Sequence, residues 1–181
     1  MEKILLFNGK LLEITIKRIC QQLIENYDNF NDTVLIGLQP RGRFFADRIK
    51  KDLDILTGKS IPIGYLDATF YRDDFRRREQ LLIPNENKIP FLVEKKNVIL
   101  IDDVLFTGRT MRAALSALNE FGRPKQVKLL VLVDRKYSRD LPIQPDFVGR
   151  AVNTIQSERI QVEWTEQGAT EDNIWLITEQ K

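Results

Sequence analysis

Val98-Ile99-Leu100-Ile101 is a continuous apolar run that ends abruptly on two adjacent aspartates, Asp102 and Asp103. A strand that is apolar at every position has to be covered on both faces, which calls for a sheet with helices packed on each side. Val34 to Leu38 and Leu129 to Val133 are runs of the same kind. Between them the apolar spacing lengthens. Phe45, Ile49 and Leu53 predict a helix that ends before Gly58, and Met111, Ala114, Leu115, Leu118 and Phe121 predict another, stopped by Gly122 and Pro124. Strand and helix alternate through the middle of the chain, so the fold class is α/β with a mostly parallel central sheet flanked by helices.

Outside that alternation the signals are looser. Ile16, Ile19, Cys20, Leu23 and Tyr27 predict a helix over 13–27 with one buried face. Ile61 to Phe70 reads as a strand. Residues 72–90, charged from Arg72 to Glu79 and carrying Pro84 and Pro90, read as a mobile excursion. A loop is predicted over 102–109, and the Pro-rich stretch 141–149 is long enough for a separate flap or hood. Ile160 to Trp164 and Ile174 to Ile177 are expected late strands. With 181 residues the chain has room for one core, and a single domain over 1–181 is expected. It would carry a flexible loop at about 72–90 and a hood at about 134–160 with the C-terminal strands.

Composition narrows the chemistry. The chain has no histidine, which excludes a Ser-His-Asp triad, an HExxH metal site and any imidazole acid or base. Its single cysteine, Cys20, excludes an internal disulfide and a cysteine-rich zinc site. Lys and Arg number 28 against 26 Asp and Glu, so overall charge says nothing about a nucleic-acid partner. No apolar run approaches the ~18 residues of a spanning helix. The stretch Ile4 to Phe7 is too short for a signal peptide, so no membrane association and a cytoplasmic location are expected.

What remains is chemistry by carboxylates, arginines, backbone amides and a hard cation, and one segment concentrates it. Asp102 and Asp103 stand at the carboxyl end of a buried strand, where open α/β sheets bind ligands. After Val104, Leu105 and Phe106, the residues Thr107-Gly108-Arg109-Thr110 open a helix. Gly108 lets the backbone approach closely, the first-turn N–H groups favour an anion, and two hydroxyls and a guanidinium add donors. An anion cradle beside paired carboxylates suits a ligand with both a phosphate and a diol, such as a ribose phosphate. Taken alone, the aspartate doublet is equally a turn start and the threonines helix caps, but capping needs neither a second carboxylate nor Gly-Arg.

The thirteen residues from Val98 to Thr110 resemble the phosphoribosyl-pyrophosphate-binding motif of type I phosphoribosyltransferases at every position. Pro40-Arg41-Gly42, Asp67 to Asp74, Leu132-Val133-Asp134-Arg135 and Leu141 to Gly149 narrow the likeness to the PyrR family of pyrimidine-operon attenuation regulators and uracil phosphoribosyltransferases. The likeness runs from about residue 10 to 177. It implies the type I phosphoribosyltransferase fold and transfer of phosphoribose to uracil, giving UMP and pyrophosphate with Mg²⁺. The resemblance puts Asp102 and Asp103 on the ribose hydroxyls, directly or through Mg²⁺, and Val104 to Thr110 around the 5-phosphate. Pro40, Arg41 and Gly42 would meet the pyrophosphate, Arg41 acting with the aspartates in catalysis. Tyr71, Arg72 and Asp73 would start the active-site loop, and Arg135 and Ile160 lie where the family places the base. A plain core role for Ile160 and a solvated surface for Arg76 to Arg78 are equally open.

Regulatory members of the family also bind a leader-mRNA hairpin and sense UMP or UTP, and a homo-oligomer, dimer or larger, is expected. Arg139 and Arg150 stand where basic RNA-facing residues belong, although both also fit a solvated surface. Gln21 and Gln144 replace basic or histidine positions of studied regulators, and one residue is inserted at Lys136-Tyr137-Ser138. Two alternatives stay open: a non-catalytic nucleotide-sensing RNA attenuator, and a phosphoribosyltransferase for another nucleobase.

Overall fold

The computed structural model describes residues 2–27, 29–73, 85–155 and 157–178. The apolar run with its aspartates is strand β4, Asn97–Leu105. It lies at the centre of a five-stranded sheet with β2 (Thr33–Leu38), β3 (Ile63–Leu66), β5 (Gln126–Lys136) and β6 (Phe147–Asn153), in the order β3-β2-β4-β5-β6. Every pairing in it is parallel. Alternate residues of the strands feed opposite cores. Leu35, Ile99, Ile101, Leu130 and Leu132 pack with helices α1 (Gly9–Asn26) and α2 (Gly42–Thr57). Val34, Ile36, Val98, Leu100, Leu129 and Val131 pack with α3 (Arg109–Leu118). That double coverage is what an uninterrupted apolar strand demands.

A second, three-stranded antiparallel sheet joins β1 (Glu2–Phe7), β8 (Asn173–Thr178) and β7 (Glu158–Glu163) in that order. Phe7, Val162, Trp164 and Ile174 attach it to the α1–α2 core. Among the described residues no helix is long and apolar enough to cross a membrane.

Several boundaries differ from the sequence expectation, each for a local reason. Helix α1 starts at Gly9 because the Asn8 side chain accepts from Leu11 N at 2.9 Å, a cap that precedes the periodic residues. Strand β3 stops at Leu66 instead of Phe70, since the Asp67 carboxylate accepts from Thr69 N at 2.8 Å and turns the chain into a 3₁₀ turn at Thr69–Tyr71. Strand β4 continues through the aspartates to Leu105, where a loop is predicted. Asp102 pairs with Val131 and Leu105 with Asp134, and backbone pairing is indifferent to the charge on a side chain. Part of the expected separate flap is core sheet: β6 pairs with β5, secured where Leu129 N donates to Asp146 Oδ2 at 2.8 Å. Only the stretch between β5 and β6 is loop.

Candidate functional site

The sheet order creates the site. Strand β2 connects through α2 to β3 on one side of it, whereas β4 connects through α3 to β5 on the other. The carboxyl ends of β2 and β4 therefore release their loops in opposite directions and leave a crevice, the usual ligand position in open α/β sheets. The β2 loop carries Gln39, Pro40 and Arg41, with Pro40 and Arg41 exposed, and leads into α2 at buried Gly42. A Cβ on Gly42 would lie 2.8 Å from both Asp102 Oδ1 and Ile101 O. Only glycine lets the two loops approach this closely.

Asp102 is half-buried and Asp103 buried. Burial pushes both carboxyls upward, Asp102 well above the ordinary 3.8 because the Asp103 charge adds to the burial. Arg41 opposes the rise at Asp103, and Arg72 opposes it at Asp102. Consecutive strand residues face opposite sides of a sheet. The pair accordingly straddles the end of β4, with Arg41 of the β2 loop acting on one member and Arg72 on the other. Both are hard oxygen donors of the kind Mg²⁺ takes. Among the described residues no cluster of three or more His, Cys, Asp or Glu could hold a metal ion.

Beyond Val104, a half-buried strand residue, and Leu105, which is buried in the α3 core, the chain forms the cradle. Gly108 adopts φ 89°, a left-handed conformation, directly before α3. A Cβ there would also press on Ile143 at 3.3 Å. Thr107 Oγ1 accepts from Arg109 N at 3.4 Å, and Thr110 Oγ1 accepts from Arg72 Nη1 at 2.5 Å. The first-turn N–H groups of a helix have no intrahelical acceptor, so this end of α3 presents donors and a positive dipole to an anion.

Phe106 is 40% exposed and carries the Arg135 guanidinium over its ring at 3.9 Å. Arg135 itself is buried, and donates to Thr154 Oγ1 at 3.0 Å, Ile155 O at 3.3 Å and Glu158 O at 2.7 Å. It ties the β6–β7 turn to the loop that carries Phe106. Ile160 is half-buried on β7 opposite Leu176, packed against the α1–α2 core.

The structure separates the remaining expected residues. Arg72 and Asp73 lie against the start of α3, Asp73 Oδ2 accepting from Arg109 Nη1 at 2.5 Å. The Tyr71 hydroxyl instead donates to Glu120 beyond the far end of α3. Arg139 acts as a staple. It donates to Phe106 O and Asp134, to Arg135 O at 2.9 Å and to Ile143 O at 3.0 Å. It also lines a cavity of about 530 Å³ with Lys136, Tyr137 and Gln144. Arg150 is exposed on β6 and donates to Leu6 O at 2.8 Å. Arg76 to Arg78 lie outside the described residues.

Sequence reasoning missed Asp67 as part of the site. Its buried carboxylate accepts from Thr69 N at 2.8 Å, Asn85 N at 2.6 Å and Asn85 Nδ2 at 2.9 Å, closing the base of the loop on both sides. Burial works against its ionisation, but these hydrogen bonds prevail and hold it below the usual range. Gln39 reaches the same region, with Nε2 donating to Glu86 O at 2.8 Å, so the β2 loop and the segment at Asn85 and Glu86 share an anchor. Asp140 and Arg112 were missed as well. Their signal lies in partners distant in sequence.

A family model described as phosphoribosyl transferase domain matches residues 6–167. The chain is 46% identical over 165 residues to the bifunctional protein PyrR of Actinobacillus succinogenes, covering 90% of this chain and 91% of that one. It is 50% identical over 147 residues to the bifunctional protein PyrR of Latilactobacillus sakei, covering 80% and 82%. Among solved structures, a hypoxanthine-guanine phosphoribosyltransferase from Bacillus anthracis superimposes with a TM-score of 0.70 at 17% identity, over 98% of this chain and 100% of that one. That likeness establishes the type I phosphoribosyltransferase fold. With sheet order, site geometry and relatives in agreement, the chain belongs to the PyrR family of the phosphoribosyltransferases.

Proposed function

We propose that this protein transfers the 5-phosphoribosyl group of phosphoribosyl pyrophosphate to uracil, forming UMP and pyrophosphate, and that it also regulates pyrimidine genes through leader mRNA. The observation that carries the enzymatic reading is the crevice itself. Paired carboxylates straddle the end of β4, between an arginine-bearing loop on one side and the amino end of α3 on the other.

Asp102 and Asp103 accept from the ribose 2- and 3-hydroxyls and orient C1 toward the base. Thr107, Thr110 and the first amides of α3 hold the 5-phosphate. Arg41 and the backbone at Gly42 receive the pyrophosphate, whose negative charge grows as the C1–O bond breaks. Mg²⁺, when bound, neutralises part of that charge. The donor set fits such an ion: two adjacent hard carboxylates, with the rest of the shell supplied by water and substrate oxygens, as Mg²⁺ prefers. A positive centre developing at C1 needs no imidazole, which agrees with a chain that has none. Asp67 keeps the base of the long loop attached beside the pyrophosphate loop.

The test is UMP formation from uracil and phosphoribosyl pyrophosphate, with Mg²⁺ and then with EDTA. Metal-dependent turnover that fails with hypoxanthine or guanine is expected. Turnover with a purine alone would reassign the base, and no turnover with intact UMP binding would make the pocket a sensor.

The bifunctional naming of the relatives supports the RNA role. Arg139 has its guanidinium engaged by five acceptors within the chain, while Arg150 is exposed. Arg150→Ala is therefore expected to weaken leader-RNA binding about three- to tenfold in a gel shift, the size of one lost phosphate contact, and to spare UMP formation. Equal RNA affinity in both proteins would remove Arg150 from that role.

A further inference from the structure

Where β4 runs out into the phosphate cradle, three successive carbonyls turn to the same side. Leu105 O accepts from Arg139 Nη1 at 3.4 Å, and Phe106 O accepts from the same nitrogen. Thr107 O accepts from Asp140 N at 3.0 Å and Leu141 N at 3.2 Å. All of these donors belong to the loop between β5 and β6. Successive carbonyls of a pleated strand alternate sides, so the backbone curls here, into the left-handed turn at Gly108 with φ 89°. In a trans peptide the N–H points opposite the C=O. The N–H groups of Phe106, Thr107 and Gly108 are therefore turned away from the β5–β6 loop together. Consecutive amides brought to one side, ending on a left-handed residue, form the concave nest that takes an anion.

One guanidinium holds most of this arrangement. Besides Leu105 O and Phe106 O, Arg139 donates to Arg135 O at 2.9 Å and to the Asp134 carboxylate at the end of β5, and its Nε donates to Ile143 O at 3.0 Å. Ile143 in turn closes on the cradle, where a Cβ on Gly108 would lie 3.3 Å from its own Cβ. A planar fork of donors can span acceptors on three segments at once, which a single amine cannot. We propose that Arg139 is a positioning residue for phosphoribosyl transfer: it draws the carbonyls of Leu105 and Phe106 outward and so aims the amides that follow them at the 5-phosphate. This role rests on the phosphoribosyl reading of the site and replaces the RNA contact that the family resemblance implies for Arg139.

The Arg139 and Asp134 side chains are 21% and 11% exposed, so removing the arginine alone would strand a largely buried carboxylate. The test therefore combines Arg139→Met with Asp134→Asn, with Asp134→Asn alone as the control. Three quantities are read: ribose 5-phosphate affinity by calorimetry, the KM values for phosphoribosyl pyrophosphate and uracil, and leader-RNA affinity by gel shift. The double variant is expected to bind ribose 5-phosphate about tenfold or more weakly, the size of a misaimed hydrogen bond to a charged group, with a matching rise in KM for phosphoribosyl pyrophosphate. Its KM for uracil and its leader-RNA affinity should stay near wild type. Asp134→Asn leaves the fork on its carbonyls and should match wild type in all three. Arg139→Lys keeps a charge beside Asp134 without the fork; it should show the same loss in smaller degree and decides the matter if the double variant melts early.

Wild-type ribose 5-phosphate affinity in the folded Arg139 variants would overturn this role. So would a KM for uracil that rises as far as that for phosphoribosyl pyrophosphate, the mark of a general loosening. A fall in leader-RNA affinity alone would return Arg139 to the RNA face, and an equal loss in Asp134→Asn would move the effect to the ion pair; either overturns it too. The phosphoribosyl reading fails separately, if the wild-type protein itself binds no ribose 5-phosphate. If the wild type binds it but forms no UMP, only the enzymatic reading fails, and the affinities still decide for or against Arg139.

Discussion

Asp102→Asn combined with Asp103→Asn is expected to reduce UMP formation by at least about 10³-fold, the scale seen when preorganised charge at a reacting centre is removed. The amides keep the shape of the carboxylates but lose their charge, so they neither orient the ribose hydroxyls as acceptors nor attract a metal-bound donor. The same change should make the fold more stable at neutral pH. Burial and mutual repulsion raise Asp102 well above 3.8, so the folded state disfavours its ionised form. A group raised in this way contributes fully below its unfolded value of 3.8, and the contribution disappears as pH climbs through the folded value. The double variant should melt with wild type at pH below 3.8 and at progressively higher temperature than wild type above it. Near-wild-type turnover would remove the pair from the ribose site. A melting difference that shrinks as pH rises would refute the electrostatic account.

Gly42→Ala is the second large effect, and here the cause is steric. The new Cβ would stand 2.8 Å from Asp102 Oδ1 and Ile101 O and 2.9 Å from Asp102 Cα, two of the three being backbone atoms that cannot rotate away. The β2 loop must move off β4, at a cost of about 1–3 kcal/mol for an overpacked site. A displacement of about 1 Å between Arg41 and the carboxylates should lower kcat/KM by about 100-fold. Denaturant unfolding and steady-state kinetics measure the two parts separately. A variant with unchanged kcat/KM would show that the pyrophosphate loop works without this approach to β4.

Both effects concern residues that the sequence makes conspicuous, and the reason is local. Gly42 and the aspartates sit at the ends of strands whose apolar runs announce them, and Thr107 to Thr110 open a helix whose periodicity is plain. Their chemistry follows from the geometry of one strand end and one helix start. Strand β1 was not legible in the same way. Ile4 and Leu5 are about half exposed, and Glu2–Phe7 becomes a strand only because β8 pairs with it from the other end of the chain. Strand β6 was hidden by its setting, a segment rich in proline that reads as a flap until β5 supplies the pairing.

The roles of the arginines depended on tertiary structure altogether. Arg41, Arg72, Arg109, Arg135, Arg139 and Arg150 carry the same charge in the sequence, and nothing local says which carboxylate or carbonyl each will meet. The fold turns Arg135 and Arg139 into staples and places Arg109 between Asp73 and Asp140. It ties Arg150 to Leu6 O and brings the charges of Arg41 and Arg72 to act on the aspartates. By itself, then, the sequence determined the α/β class, the position of the crevice at the end of β4 and the absence of imidazole chemistry. Those depend on periodicity and residue type over short spans. The tertiary structure decided which carboxylate or carbonyl each of these charges meets, because electrostatic partnership is a matter of distance in space.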